Sequence, residues 1–286
     1  MLMIRTRGMT PADIEGCSRI CYEAFRQIAV EHNFPPDLPT LEPAKELIAS
    51  LQSHPGYLSV VAESDHRIVG SAFLDERSVI FSVGPVTVEP TVQDSGIGRT
   101  LMQVMLQRSA EENATGVRLV QAAYNNRSMS LYTDLGFKTR EPLATIQGEP
   151  LSLRIKGFDV RDAEEADLDE CNRICIAVHG HDRSGELRDA LAQESAKVVQ
   201  REGRITGYTT NVGFTGHSVG LTNQDLIALI ANAEAFSFNG FLAPLRNVEL
   251  LRWCFGHGLR IVYMLNLMTI GFYQEPDGAF LASIGY

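Results

Sequence analysis

Apolar positions along this chain follow two rhythms, and the order of those rhythms occurs twice. After Ile14 and again after Leu168, apolar residues recur at helical spacing: Cys17, Ile20 and Cys21 in one run, Cys171, Ile174 and Cys175 in the other. Each run follows a short β-prone stretch, Met3 to Thr6 or Gly157 to Val160, through a polar turn. Further on, SVVAESDHRIVGSAF (Ser59 to Phe73) and KVVQREGRITGYTT (Lys197 to Thr210) share an apolar strand, a polar turn, Arg-Ile-x-Gly and a second strand. Both predict β-hairpins, with turns at Ser64 to His66 and at Glu202 and Gly203.

The similarity extends to side-chain identity. RGMTPADIEGCSRIC from Arg7 and RDAEEADLDECNRIC from Arg161 agree at Arg, Ala-Asp, Cys, Arg, Ile and Cys with one constant offset. One structural unit is therefore used twice, and 286 residues suit two cores of roughly 140 each. The predicted fold class is α/β with a mixed (α+β) sheet, in tandem domains 1–152 and 153–286 that meet near Pro150 to Gly157. The paired cysteines share a helix face with Ile14, Ile20, Leu168 and Ile174, which predicts buried thiols. A zinc site needs four ligands, and two on one helix do not make one.

Composition leaves this picture in place. The chain is 44% hydrophobic and 21% charged, an ordinary globular profile, and has no run of about 18 apolar residues to span a bilayer. The start, MLMIRTRGMTPAD, lacks the apolar segment of a secretory signal, and five scattered cysteines suit reduced thiols; a cytoplasmic protein is expected. A net charge of -10 argues against a nucleic-acid surface and mildly favours cationic small molecules. Either a monomer or a homodimer fits.

The segment richest in chemistry is GPVTVEPTVQDSGIGRTLMQVMLQRSAEEN, Gly84 to Asn113. It predicts a strand over Pro85 to Val88, a loop, and a helix whose apolar face is Leu101, Val104 and Met105 with Ile97. A strand, a glycine-bearing loop and a helix N-terminus in that order make an anion site, since unbonded N–H groups and the helix dipole converge there. A dinucleotide fingerprint fails because Leu101 stands at its third glycine, and a P-loop fails for want of Gly-Lys-Ser/Thr. The spacing that fits is Q-x-x-G-x-G preceded by V-x-P, which resembles the acyl-CoA pyrophosphate loop of the GCN5-related N-acetyltransferase (GNAT) family. After a β-prone run, Val117 to Ala123, comes NNRSMSLYTDLGF, Asn125 to Phe137, similar to the second signature of that family.

The resemblance implies two tandem acyl-CoA N-acyltransferase (GNAT-like) domains and acetyl-CoA as co-substrate, with no metal. It implies that Val86, Thr87 and Val88 run along the pantetheine, with a main-chain N–H of that strand polarising the thioester carbonyl. It also implies that Gln93, Asp94, Ser95, Gly96, Ile97, Gly98, Arg99 and Thr100 form the pyrophosphate site. Asn125, Ser128 and Tyr132 fall at family stations, Tyr132 at that of the general acid, and Gly136-Phe137 close the helix. Asp94 departs from the pattern, standing where many relatives are basic or neutral; Arg99 is expected to offset it.

The base is open. Ser82 occupies the station at which some relatives carry glutamate. The candidate acids are Asp75 and Glu76, read alternatively as a solvated turn, and Glu89, expected to be exposed; His32, His54 and His66 are the histidine candidates. In the second half, nothing from Asn239 to Gly258 restores Q-x-x-G-x-G, although Pro244-Leu245-Arg246-Asn247 keeps a strand-to-helix shape, and LMTIGFYQEP echoes the aromatic and Gly-Phe end. The tail to Tyr286 reads as a final strand. This half is expected to be a degenerate GNAT-like domain, or else a regulatory ligand site with Arg246 and His257 as anchors. The proline-rich His32 to Thr40 is a lid or a connector. The implied function is acetyl-CoA-dependent N-acetyl transfer to a primary amine of a small molecule or peptide, by direct attack on the thioester in a ternary complex. The alternative is a non-catalytic acyl-CoA-binding sensor or structural module.

Overall fold

The computed structural model describes residues 3–238 and 240–285. Asn239 and Tyr286, which end two segments read above, lie outside the described residues. The chain packs as two units: one runs to Arg118 and adds Asn125–Leu135, while the other holds Leu119–Tyr124 and everything from Gly136.

The first unit opens with β1 (Arg5–Gly8), α1 (Ile14–Glu31) and α2 (Leu41–Ser53), then β2 (Tyr57–Ser64), β3 (Arg67–Asp75) and β4 (Ile80–Val88). It continues with α3 (Ile97–Glu111), the first residues of β5 (Gly116–Ala122), and α4 (Asn126–Asp134). β1 to β4 form an antiparallel ladder in chain order, and β5 joins β4 in parallel. The hairpin turn falls at Asp65 and His66, both with positive φ, as the pattern predicts. β4 begins at Ile80, earlier than the Pro85 read from the sequence, because the β-prone stretch is interrupted by a bulge at Gly84 and Pro85, whose peptide bond is cis.

The duplicated sequence makes a duplicated local structure. Arg7 Nη1 and Nη2 donate to the two Asp13 carboxylate oxygens at 2.6 and 2.8 Å, and Arg161 binds Asp167 at the same two distances. Each aspartate also accepts a main-chain N–H, from Thr10 at 2.7 Å and from Glu164 at 2.8 Å, which closes a short 3-10 turn before the helix. The arginine beside each aspartate holds its carboxyl below the ordinary carboxylate range. This contribution to stability is present above about pH 4 and is lost as the pH falls through the lowered value.

Beyond α1 the cysteines behave as small hydrophobes. Cys17 and Cys21 pack with Ala44 and Ile48 of α2 and with Val61 and Phe73 of the sheet. Leu38 joins the same core, so the proline-rich stretch His32 to Thr40 is an irregular connector pinned at its middle.

The second unit takes β6 (Lys138–Gln147) from the first repeat and adds β7 (Asp159–Asp162), α5 (Leu168–His179), α6 (Ser184–Ala192), β8 (Lys197–Arg201), β9 (Arg204–Thr209) and β10 (Ser218–Gly220). Then follow α7 (Asn223–Asn232), β11 (Phe241–Pro244), α8 (Val248–Gly256), β12 (Arg260–Gly271) and β13 (Ala279–Leu281). One sheet runs β13-β10-β9-β8-β7, and strands β5, β12, β6 and β11 neighbour one another in that order. The segment LMTIGFYQEP lies in the end of β12 and the coil after it, not at a helix end, because alternate residues Leu265 and Leu267 are buried in strand geometry. Among the described residues of the tail, strand is confined to Ala279–Leu281. No helix among the described residues is long and apolar enough to cross a membrane.

All five cysteines are free and buried, and desolvation pushes the thiols of Cys17, Cys21, Cys171 and Cys254 up to about 12. The native protein is therefore expected to leave its five thiols unmodified by an aromatic disulfide reagent at pH 8, with all five titrating in denaturant. Rapid reaction of any thiol under native conditions would contradict that packing.

Candidate active site

The site begins where a ladder ends. β4 and β5 pair at Ile80↔Gly116, Phe81↔Val117 and Ser82↔Arg118, and from Val83 onward β4 is paired with β3 alone among the described residues. In a strand, main-chain groups point alternately to either side, so part of the backbone from Val83 to Val88 lies on the side away from β3, where no strand pairs with it among the described residues. Val86, Thr87 and Val88 pair with Ala72, Ser71 and Gly70 on the other side, and Thr87 Oγ1 lies 3.2 Å from Ser71 Oγ.

The chain then crosses from Glu89 to Gly96 and enters α3. Gly96 is the N-cap with φ +89°, and Thr100 N–H donates to its carbonyl at 3.0 Å. A glycine cap has no side chain to offer, so the amides of Ile97, Gly98 and Arg99 keep the unbonded state that every helix start creates. Gly98 marks a convergence: a Cβ built there would lie 3.5 Å from Leu131 of α4 and 3.8 Å from Val88 of β4. The end of β4, the start of α3 and the middle of α4 thus meet at one residue. Ile97, Leu101, Met102 and Met105 are the buried apolar positions of α3, with Ser109 buried beyond them; Met102, not Val104, completes the stripe that starts at Ile97.

Asn125 caps α4, its Oδ1 accepting Ser128 N–H at 3.1 Å, while Ser128 Oγ donates back to Asn125 O at 3.1 Å. These two predicted binding residues thus have a cap to build as well. Tyr132 lies one turn beyond Ser128 on the same face, half-buried, and desolvation pushes its phenol up to about 12. It therefore stays protonated, able to donate, across the whole neutral and mildly alkaline range.

Several sequence expectations change here. Arg99 does not offset Asp94: it pairs with Asp134 of α4 at 2.6 Å, and Arg127 in the first turn of α4 reaches Asp94 through Nε at 3.0 Å. Arg127 also donates to Gln93 Oε1, whose amide nitrogen donates to Val88 O at 3.2 Å. Arg127 was missed because its partners lie far away in sequence.

Glu89 is buried, not exposed: its N–H bonds Val69 O at 2.9 Å and its carboxylate lies 3.3 Å from Arg19. Asp75 and Glu76 form no solvated turn. Asp75 is buried and accepts Tyr57 Oη at 3.0 Å and Arg77 Nε at 2.8 Å, while Glu76 accepts Arg108 at 2.7 and 3.1 Å. Both proposed bases are thus engaged by arginine. Ser82 is buried in β4. Among the described residues no group of three or more His, Cys, Asp or Glu is placed to hold a metal ion.

The second repeat carries the same frame with different contents. By element order β10 and α7 answer to β4 and α3, yet only Leu221 and Thr222 connect them. Thr222 caps α7, and Asp225 in the first turn accepts Thr222 N–H at 2.8 Å, Thr222 Oγ1 at 2.7 Å and Thr206 Oγ1 at 2.5 Å. A fully buried carboxylate thus sits in the first turn of α7.

The segment Pro244 to Asn247 corresponds instead to the start of α4. Asn247 Oδ1 accepts Leu250 N–H at 3.2 Å as Asn125 does for Ser128, and Gly258, like Gly136, follows its helix with positive φ. On this register Cys254, buried at 0% exposure, stands where Tyr132 does. Arg246 binds Glu141 at 2.8 Å and Glu275 at 3.0 Å, and His257 Nδ1 lies 2.8 Å from Trp253 O, so both suggested anchors have protein partners.

Backbone geometry requires only the first loop glycine. Gly96→Ala is expected to cost about 1 kcal/mol in urea unfolding, from a Cβ at left-handed φ. Gly98→Ala, in helical geometry with ordinary contacts around it, should be neutral or stabilising by up to ~1 kcal/mol. Equal destabilisation by both would contradict this assignment.

Comparison with known proteins agrees with this geometry. Residues 22–137 match the model of the Acetyltransferase (GNAT) family, which contains β4, the loop, α3 and α4. A crystal structure described as a candidate acetyltransferase from Pyrococcus horikoshii is 18% identical, with a TM-score of 0.74 over 96% of this chain and 91% of that one. A GCN5-related N-acetyltransferase from Sphaerobacter thermophilus is 16% identical over 97% of this chain and 99% of its own, with a TM-score of 0.63. A tandem GNAT protein from the clavulanic acid biosynthesis pathway is 14% identical, with a TM-score of 0.55 over 94% of this chain and 98% of that one. At these identities the likeness is one of fold.

Among curated proteins, the UPF0157 protein YqkA of Bacillus subtilis (strain 168) is 28% identical over 112 residues, 39% of this chain, and the match spans 31% of YqkA. The glycine-capped helix, the opened strand and the second signature thus lie within residues 22–137, the part of the chain that matches the GNAT acetyltransferase family model, on a fold similar along most of the chain to that of a tandem GNAT protein.

Proposed function

We propose that the first repeat, residues 1–152, is an acetyl-CoA-dependent N-acetyltransferase acting on a primary amine of a small molecule or peptide. The observation that carries this reading is the α3 N-terminus, capped by a glycine alone at the open end of β4. Such an end offers unbonded amides and the positive pole of a helix to a pyrophosphate, and it fits the group without any lysine or metal. Acetyl-CoA would supply an activated acyl group on a thioester. Main-chain groups of Val86 to Val88 are suited to bind its amide-rich arm, and a strand N–H facing the gap beside β4 would polarise the carbonyl.

The amine nitrogen attacks the carbonyl carbon in a ternary complex, the carbon–sulfur bond breaks, and Tyr132 Oη gives its proton to the leaving thiolate. One of the two N–H protons of the attacking amine passes to water, and water returns a proton to the Tyr132 phenolate, so that the net products are the amide and the free thiol. Asp75 and Glu76, each held by arginine, serve better as supports of the β3 end than as bases, so the acceptor enters as its neutral fraction. Positioning then supplies much of the acceleration.

Tyr132→Phe is expected to lower turnover by roughly 10² to 10⁴ with little change in the KM for acetyl-CoA. Thiol release from acetyl-CoA against a panel of amines measures it, and unchanged turnover in the variant would remove Tyr132 from the role. If the amine panel gives no turnover while acetyl-CoA binds, a non-catalytic acyl-CoA sensor is the better reading.

Residues 153–286 we read as a degenerate copy. Asp225 already accepts the N–H and hydroxyl of Thr222 at the start of α7 and would repel a phosphate there, and Cys254 in place of the phenol is a poor, buried proton donor. Calorimetry should accordingly find one acetyl-CoA per chain; a stoichiometry of two would contradict this assignment.

A further inference from the structure

We propose that Asp94 is a built-in competitor of the pyrophosphate and that Arg127 is the cation for which the two compete. The inference rests on the acyl-CoA reading of the α3 N-terminus and adds to it Arg127, a residue of the second signature segment to which that reading assigns no role.

Arg127 projects from the first turn of α4 onto the loop, where it touches both Gln93 Oε1 and Asp94 Oδ1, the latter at 3.0 Å. Gln93 in turn holds Val88 O at 3.2 Å, so the guanidinium is tied through one side chain to the end of β4. Asp94 adopts φ +64°, a conformation that non-glycine residues other than Asn and Asp seldom take, and this places its carboxylate on Arg127. The second arginine beside the loop is matched in the same way, Arg99 lying on Asp134 at 2.6 Å. Two arginines and two aspartates therefore surround an open helix end with no net charge, leaving amides as its attraction for an anion.

These ion pairs are exposed, with 56% of the Arg127 side chain and 68% of that of Asp94 open to solvent, and such pairs are weak in water. A pyrophosphate carries more charge than a carboxylate and accepts a guanidinium in bidentate fashion, so it is the stronger partner. Binding proceeds by exchange: Arg127 leaves Asp94 for a phosphate oxygen, and Asp94 turns to water. No covalent bond changes. The cost of giving up the internal pair lowers affinity modestly, and the same carboxylate draws the guanidinium back when the ligand leaves. Because the product CoA carries the same pyrophosphate as the substrate, Asp94 shortens the residence of the product, a step that limits turnover in many enzymes.

The test is calorimetric titration of CoA into wild type, Asp94→Asn, Arg127→Gln and the double variant, with dephospho-CoA as a second ligand. Asparagine tolerates the left-handed backbone, so the loop keeps its shape, and thermal melts verify each fold. Asp94→Asn is expected to bind CoA on the order of two- to fivefold more tightly and to release it more slowly. Arg127→Gln should bind about five- to tenfold more weakly. In the Arg127→Gln background the gain from Asp94→Asn should shrink, since nothing remains to compete for.

Unchanged or weaker binding by Asp94→Asn overturns the proposal. So does a larger gain in the Arg127→Gln background, which would mean that Asp94 acts by repulsion screened by Arg127. The gain should persist with dephospho-CoA; a gain confined to CoA would assign the guanidinium to the ribose phosphate and overturn the pyrophosphate assignment. Failure of the wild type to bind CoA would overturn the acyl-CoA reading and this proposal with it, whereas wild-type binding without the Asp94→Asn gain overturns this proposal alone.

Discussion

Three parallel residue pairs join β4 to β5, and the end of that ladder organises the rest of the site. A strand inside a sheet has its main-chain groups satisfied on both sides; a strand whose neighbour has diverged keeps one row unspent. From Val83 to Val88 only β3 pairs with β4 among the described residues, the open side being met at Val88 O by the Gln93 amide, and the chain leaves the strand through a loop ending in a left-handed glycine. A second set of unsatisfied amides follows at once, at the start of α3. Two deficits that a folding domain would ordinarily fill are thus placed side by side. α4 is fastened across them by ion pairs at either end, Arg127 on Asp94 and Asp134 on Arg99.

The second repeat shows how little is needed to close such an arrangement. In place of a long loop and a glycine cap, Thr222 and Asp225 bond to one another and set a carboxylate in the first turn of the helix. Thr206 binds the same carboxylate from β9, so Asp225 is fully buried although Thr222 and Gln224 beside it are exposed. Around it the core is heavily apolar, with Leu226 to Ala231 all buried. The two repeats thus divide one design, one keeping its polar deficits and the other exchanging them for packing.

What could be read in the sequence was what short segments encode on their own. The duplicated Arg-to-Asp-Cys pattern is legible because a bidentate pair, a cap and a helix face fit within a few turns of chain. The hairpins and the glycine-capped helix are similarly local. The partner of Asp94 was not legible, because Arg127 approaches it from another helix, and the burial of Glu89 depends on Arg19 of α1. In the second half, β10 and its connection to α7 are too short to show a period, so the cofactor-loop position was sought one helix too late, at α8. The cap of Asn247 and the turn at Gly258 correct the register. No local pattern could announce that β6, written in the first repeat, lies between β12 and β11 of the second.

That interleaving affects how the protein can be made. A ribosome delivers β6 well before β11 and β12, so the strand must wait, with both edges unpaired, for neighbours near the end of the chain. Main-chain pairing over Lys138–Thr269 and Ile146–Phe241 then closes loops that span the whole second repeat. Removing the second repeat would leave both edges of β6 unpaired, an open sheet edge of the kind that aggregates. The second half thus contributes strands that the last strand of the first repeat pairs with, a structural part independent of any ligand it holds.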